Sequence, residues 1–275
     1  MSGIQQKQNL AGLFDRAAPT YGTDLDFFTE VGAQLVHHAS PRPGETVLDI
    51  GCGRGAALFP AAERVGPSGR AIGIDIAPVM VRLAAEEAQR RGLDMVEVRV
   101  GDAEAPDVDP SSADLVIGSM MAFLLQDIPG AFRHYARILR PGGRLALSTF
   151  VANDRLRWTP VQEALVSFMP VAPPADPIQH LEPRRWSDWL IGQLEEAGYA
   201  DVEYAERRYD NVFATPEHWW GWMGSMAARA AVEAIPADRH DEAKRAVFEA
   251  VDRIRDESGR IVWTAVMRFT TAYRR

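Results

Sequence analysis

The chain has 275 residues, 47% apolar and 25% charged, the balance of a globular protein long enough to bury a large core in one elaborated domain. A formal net charge of −8 leaves no basic stripe to neutralise phosphates and argues against a nucleic-acid partner. The single cysteine, Cys52, excludes an intrachain disulfide, and with no membrane-length apolar run and no secretory leader pattern the expectation is a cytoplasmic protein without a membrane partner.

Read in chain order, strand and helix patterns alternate. Phe27, Phe28, Val31 and Leu35 recur at helical spacing ahead of the first strand. Residues 47–50 predict a buried strand that carries Asp49. Gly51-Cys-Gly-Arg-Gly55 follows as a sharp turn, with a helix expected from about Arg54. Residues 70–75 predict a second strand ending in Asp75. Pro78 opens a helix that Gly92 closes. A third strand over 95–100 leads into Gly101-Asp-Ala-Glu104, and a fourth covers 113–119. A helix over 128–139 stops before Pro141-Gly142, and a fifth strand spans 144–150. Residues 151–183 are proline-rich and read as loop. A helix over 186–197, a sixth strand over 200–209, two helices within 216–256 joined near Pro236, and an alternating last strand over 261–273 complete the chain. This alternation predicts an α/β fold with a mostly parallel sheet and helices on both faces.

The turn after the first strand says most about chemistry. Gly51, Gly53 and Ala56 also fit a dinucleotide fingerprint, and Asp75 stands 24 residues past Gly51, near where a ribose-binding acid belongs. A pyrophosphate over this turn would be repelled by the Asp49 carboxylate. A ligand with a cationic head would be attracted. S-adenosylmethionine (SAM) carries an α-ammonium and no phosphate. Asp75 can accept from both ribose hydroxyls, and Asp102 from an adenine amino group.

Taken together, Asp49-Ile-Gly-Cys-Gly-Arg-Gly55, Gly73-Ile-Asp75, Gly101-Asp-Ala-Glu104 and Leu139-Arg-Pro-Gly-Gly143 resemble the class I SAM-dependent methyltransferases, the group of ubiquinone/menaquinone-pathway and natural-product small-molecule enzymes. The resemblance implies a Rossmann-like seven-stranded, mostly parallel sheet with an antiparallel last strand beside the fifth, and a helical cap. It implies SAM as cofactor, with S-adenosylhomocysteine as product. By the same resemblance Asp49, Gly51 and Gly53 hold the methionine part, with Cys52 between them. Asp75 and its neighbour Ile76 hold the ribose; Asp102, Ala103 and Met80 hold the adenine. Ser119 and Met120, at the end of the fourth strand, lie beside the methionine part and the substrate. Tyr21 covers the cofactor. Residues 1–275 are expected to form one domain, with 1–38 as an N-terminal lid and 151–183 plus 210–258 as cap insertions.

These caps carry many aromatics: Phe27, Phe28, Trp158, Phe168, Phe213, Trp219, Trp220 and Trp222. Most are expected to pack the cap. Phe123, Trp219 and Trp222 are assigned to an apolar pocket for a small hydrophobic substrate. A homo-oligomer is compatible with the chain. Cys52 reads as a small packing residue, since no histidine lies near it in sequence. His180 and His218 are the catalytic candidates, with Asp127 beside them and His37, His38, His134 and His240 behind; no motif fixes a role for any. Many O-methylating relatives carry a histidine after the fourth strand, where this chain has Met120-Met-Ala-Phe-Leu-Leu125. That apolar stretch tilts the expectation slightly towards methylation at carbon, with O- or N-methylation as the alternative. A protein that binds SAM in a non-methylating, cyclase-like role remains a further one. No metal is expected.

Overall fold

The computed structural model describes residues 3–170 and 182–275. Helices α1 (Gly3–Ala17) and α2 (Phe27–Ala39) precede β1 (Thr46–Ile50), α3 (Leu58–Val65), β2 (Arg70–Asp75), α4 (Pro78–Arg90), β3 (Val96–Val100) and β4 (Ala113–Ser119). Then come α5 (Ile128–Ile138), β5 (Leu139–Asn153), α6 (Arg155–Val166), α7 (Pro183–Glu196) and β6 (Tyr199–Phe213). Helices α8 (Pro216–Gly224), α9 (Arg229–Glu233) and α10 (His240–Arg253) lead to β7 (Ile261–Arg274).

The seven strands form one sheet in the order β3-β2-β1-β4-β5-β7-β6. Strands β1 to β5 pair in parallel, and β7 runs antiparallel between β5 and β6. The order reverses between β1 and β4. The carboxyl ends of those two strands therefore border the crevice in which ligands of such sheets bind. The central strands are apolar on both faces because both faces are covered. On one face Leu48, Ile50, Val116, Leu145 and Leu147 pack under α5 and α7. On the other, Val47, Leu115, Ile117 and Phe269 pack under α2 and α3.

Four details differ from the expectations above. Helix α3 starts at Leu58, not near Arg54, because Gly51, Gly53 and Gly55 all take positive φ (66°, 53° and 90°) and cannot be helical. Helix α6 occupies part of the stretch read as loop. It contains Pro160, but Trp158, Val161 and Leu165 share a buried stripe that holds it helical across the lost hydrogen bond. Residues 216–256 form three helices rather than two. Finally, of the two helices described within residues 1–38, α1 stands away from the sheet. Helix α2 is a core helix, and Gly32 lets it approach the segment after the glycine turn: a Cβ there would come 2.4 Å from the Ala56 carbonyl. Helices α6, α8 and α10 share a separate cluster with Phe213 and Ile261, so the segments flanking β6 form one apolar cap.

Candidate active site

The turn after β1 is built by backbone. Gly51 and Cys52 donate to the Ile74 carbonyl at 2.7 and 3.0 Å, which ties the turn to the end of β2. Gly53 N–H donates to Asp75 Oδ2 at 2.8 Å, and Ala77 N–H donates to Oδ1 at 2.9 Å. Asp75 is therefore a fastener of the turn as well as a candidate ligand acceptor. A Cβ on Gly53 would meet nothing within 4 Å, so this glycine faces open space. Asp49 is 1% exposed, and neither of its carboxylate oxygens has a hydrogen-bond partner. Burial, reinforced by the charge of Asp75, pushes its pKa well above the usual carboxylate range. A buried, unpaired acid beside an open glycine fits the α-amino group of SAM. The Cys52 sulfur packs against Gly73, whose added Cβ would lie 2.8 Å from it, and burial pushes the thiol up. Its side chain packs into the core beneath the turn.

Two cavities border this turn, and a third joins them at Tyr21 and Met120. One, of about 310 Å³, runs past Asp49, Gly51, Cys52, Gly53 and Arg54. A second, of about 90 Å³, is bordered by Asp75, Ile76, Met80, Asp102 and Ala103. Helix α1 covers it. Lys7 donates to Asp102 at 2.7 Å and also pairs with Glu104. Asp15 caps α4 through Val79 N–H at 2.8 Å, and Arg16 forks onto Glu233 of α9 at 2.8 and 3.0 Å. Ala103 is fixed by the Tyr135 hydroxyl, which donates to its carbonyl at 2.7 Å.

The third cavity, about 300 Å³, is walled by Phe123, Phe150, Trp158, Trp219, Trp222 and Trp263, with further aromatics, methionines, aliphatics and one polar side chain, Gln162, between them. Trp158 and Trp219 stack at 5.3 Å. Trp222 is wedged 5.2 Å from both Phe213 and Trp263, and its indole N–H is buried without a partner. Tyr21 and Met120 border all three cavities, and Ser119 borders the first two. Tyr21 stacks on Phe28 at 4.7 Å, and burial together with the Asp75 charge pushes its phenol far above the usual tyrosine range. Met120 sits at φ 53°, a left-handed backbone rare for methionine, and its N–H donates to Ser148 Oγ at 3.0 Å.

The two catalytic candidates are not brought to this junction. His218 lies outside the cavity wall. Its Nδ1 accepts from Ala214 N–H at 3.2 Å and its ring packs on Phe213, so it serves the start of α8. His180 lies outside the described residues. Asp127 caps α5 through Gly130 N–H at 2.9 Å. His240 bonds the Ile235 carbonyl, and His134 contacts Arg137. Of the eight cap aromatics, Phe168, Phe213 and Trp220 pack away from the cavity. Sequence reasoning missed Phe150 and Trp263, which reach the wall from β5 and β7, and Lys7 and Arg54 on the cofactor side. Among the described residues no group of three or more His, Cys, Asp or Glu is placed to hold a metal ion. No described helix is long and apolar enough to cross a membrane.

Comparison with known proteins agrees with this geometry. A methyltransferase domain family matches residues 41–181. The nocamycin O-methyltransferase of Saccharothrix syringae is 39% identical over 239 residues, covering 82% of this chain and 85% of its own. Aklanonic acid methyltransferase DauC of a Streptomyces species (strain C5) is 39% identical over 222 residues, covering 76% of this chain and 99% of its own. Among solved structures, the YcgJ protein from Bacillus subtilis aligns with a TM-score of 0.58 at 20% identity, over 90% of this chain and 98% of that one, a likeness of fold. With this sheet order, this glycine turn and these relatives, the chain belongs to the SAM-dependent methyltransferases, in the group that acts on natural products.

Proposed function

We propose that the chain methylates an oxygen of a small, hydrophobic, ring-bearing metabolite, and that this oxygen belongs to a carboxylate. The observation that carries the reading is the wall of the 300 Å³ cavity. Among the described residues lining it there is no histidine, acid or cation. A phenol or alcohol must lose its proton on methylation, and nothing in that wall can take it. The one hydroxyl there, Tyr21, is held protonated by its burial. A carboxylate arrives ionised, with an ordinary pKa near ~4, and needs no base. The names of the two relatives point the same way: one is an O-methyltransferase, the other acts on an acid.

Bound SAM supplies a methyl already activated by its sulfonium. The chain's own work is orientation and the exclusion of water. On this reading Asp49, Gly51, Cys52, Gly53 and Ser119 cradle the methionine part. Asp75 and Ile76 hold the ribose, and Met80, Asp102 and Ala103 hold the adenine. Tyr21 and Met120 mark the crossing point, because among the described residues they alone border all three cavities. Phe123, Trp219 and Trp222 present faces and edges to a flat acceptor. We read α1 as the lid and the α6, α8 and α10 cluster as the cap of a single domain, working in the cytoplasm on a free small molecule.

Methylation at carbon is the second reading, favoured by the same aromatic wall. Ring faces stabilise a developing cation by about 0.5–2 kcal/mol per contact. The test is to incubate the protein with SAM and a panel of aromatic acids, following S-adenosylhomocysteine and the product. A methyl lost on mild alkaline hydrolysis is an ester and supports the proposal. A base-stable methyl on carbon or on an ether oxygen overturns it.

A further inference from the structure

The 310 Å³ cavity has a charged side chain whose job is unassigned. Its lining includes Asp49, Arg54, Glu87, Arg90 and Arg91. Two of these arginines are spoken for. Arg90 forks onto Glu87 at 2.6 and 2.8 Å, and Arg91 donates to the same carboxylate at 2.5 Å while its guanidinium lies 4.6 Å over the Phe59 ring. Arg54 has no carboxylate among the described residues. It makes only two long contacts from Nη1, at 3.4 Å to the Pro19 carbonyl and 3.3 Å to the Tyr21 carbonyl. Most of its guanidinium donors are therefore unused, on a residue that belongs to the glycine turn itself.

We propose that Arg54 pairs with the α-carboxylate of the cofactor's methionine part, and that this pairing fastens residues 19–21 over the bound cofactor. The inference rests on the placement of the methionine part proposed above. An amino-acid head carries one ammonium and one carboxylate. The cavity offers one unpaired acid, Asp49, and one arginine without an acidic partner, Arg54. The planar guanidinium suits a carboxylate better than any other side chain does, since it can present two parallel N–H groups. The consequence reaches past affinity. The carbonyl that Arg54 touches belongs to Tyr21, which stands where the cofactor and acceptor cavities meet. A bound carboxylate would hold the guanidinium, and the guanidinium would hold the backbone that positions the Tyr21 ring.

The test uses three ligands with full-length wild-type, Arg54→Gln and Arg54→Lys proteins, read by calorimetry: SAM, decarboxylated SAM, and 5′-methylthioadenosine, which lacks the whole amino-acid head. Wild type should prefer SAM over decarboxylated SAM by roughly ten- to a hundred-fold, the span of a charge-assisted bond. Arg54→Gln should erase that preference while binding decarboxylated SAM and 5′-methylthioadenosine within about three-fold of wild type. Arg54→Lys should restore part of it. Unchanged methylthioadenosine binding also shows that the variant is folded. Equal weakening of all three ligands would mean that Arg54 only holds the 19–21 backbone, and would overturn the pairing, as would no weakening of any. An Asp75→Ala variant, run in parallel, should weaken all three ligands. If it does not, the ribose placement fails while an Arg54 effect confined to SAM still upholds the pairing.

Discussion

Replacing Asp75 by alanine removes two structural acceptors and one ligand acceptor together. Its Oδ1 takes the buried Ala77 N–H at 2.9 Å and its Oδ2 takes the part-buried Gly53 N–H at 2.8 Å. A buried donor left without a partner costs about 1–3 kcal/mol, and a part-buried one that water can reach costs less. Against this stands a relief: burial pushes the Asp75 pKa up, so the ionised carboxylate is itself held at a cost in the folded state. The net loss of stability should therefore be about 1–3 kcal/mol, short of the sum of two orphaned donors. Ligand binding should suffer separately. Two ribose hydroxyls lose a charged acceptor worth about 1.5–3 kcal/mol, so SAM should bind roughly ten- to a hundred-fold more weakly. The Gly53 turn is also released, and the amino-acid end of the ligand should suffer with the ribose end. Urea unfolding of the ligand-free protein gives the first quantity and titration calorimetry the second. A variant that keeps wild-type SAM affinity while losing stability would show that Asp75 only fastens the turn, and would refute the ribose assignment.

Gly53→Val places a branched side chain in open space where φ is 53°; SAM binding should be abolished while the chain remains folded, and wild-type affinity by calorimetry would sink the assignment. The Asp49 carboxyl ionises near 3.8 when unfolded and well above that when folded, so the ligand-free protein loses stability as pH rises from 3.8 through the raised value. A ligand ammonium favours the ionised form, so SAM binding within that window should release a proton, seen as a binding enthalpy that varies with the buffer's ionisation enthalpy; a buffer-independent enthalpy would count against the pairing. Trp222→Phe deletes an unpaired buried N–H and keeps the ring's packing. It should leave stability within about 1 kcal/mol but raise the KM of an oxygen-bearing acceptor several-fold, and an unchanged KM would remove the indole from recognition. Deleting residues 1–20 takes away α1, in which only Ala17 is buried, so turnover should fall far more than the unfolding midpoint; normal turnover would dismiss the lid.

The residues proposed for the cofactor half of the site could be named from the sequence because they are local in it. Asp49, Gly51, Gly53, Asp75 and Asp102 each end a strand or open the turn after it, and parallel pairing brings those ends to one edge. The seven-stranded order was available only through the family likeness, since periodicity cannot say which strands are neighbours. The acceptor half was legible in kind and not in detail. Trp219 and Trp222 reach the wall from α8, but Trp263 and Phe150 come from strands whose alternation gives no hint of which face meets the cap. Pro160 misled for a physical reason. A proline inside a helix is tolerated when a buried stripe holds the turns on either side, and that stripe is tertiary. Lys7, paired with Asp102 and Glu104 some 95 and 97 residues on, left no local trace at all.

The apolar stretch after β4 first argued for carbon, and the structure changes what that stretch implies. Met120 is turned into the junction by a left-handed backbone held on Ser148, so the residues that follow it are committed to wall and core: Met121 and Ala122 are buried, and Phe123 faces the acceptor cavity. A base placed there would be a charge in a wall of rings, held at a cost unless it found a partner. A site that needs no base for the transfer avoids this conflict, and two acceptor classes fit: an electron-rich carbon, whose cation must shed a proton afterwards, and an oxygen already ionised, which has none to lose. The aromatic wall separates them by what it does to charge. It would strip water from a carboxylate, which raises the oxygen's nucleophilicity, and would leave the opposite charge of a bound sulfonium as the compensation, since the described residues of the lining bring no cation. Transfer to such an oxygen would annihilate both charges inside a medium of low polarity. A carbon acceptor would move a positive charge from sulfur into its own skeleton and would then have to shed a proton, for which the described lining brings no base. On the reading proposed above, the same wall would therefore favour an ester-forming reaction over carbon methylation without the help of any catalytic side chain among the described residues.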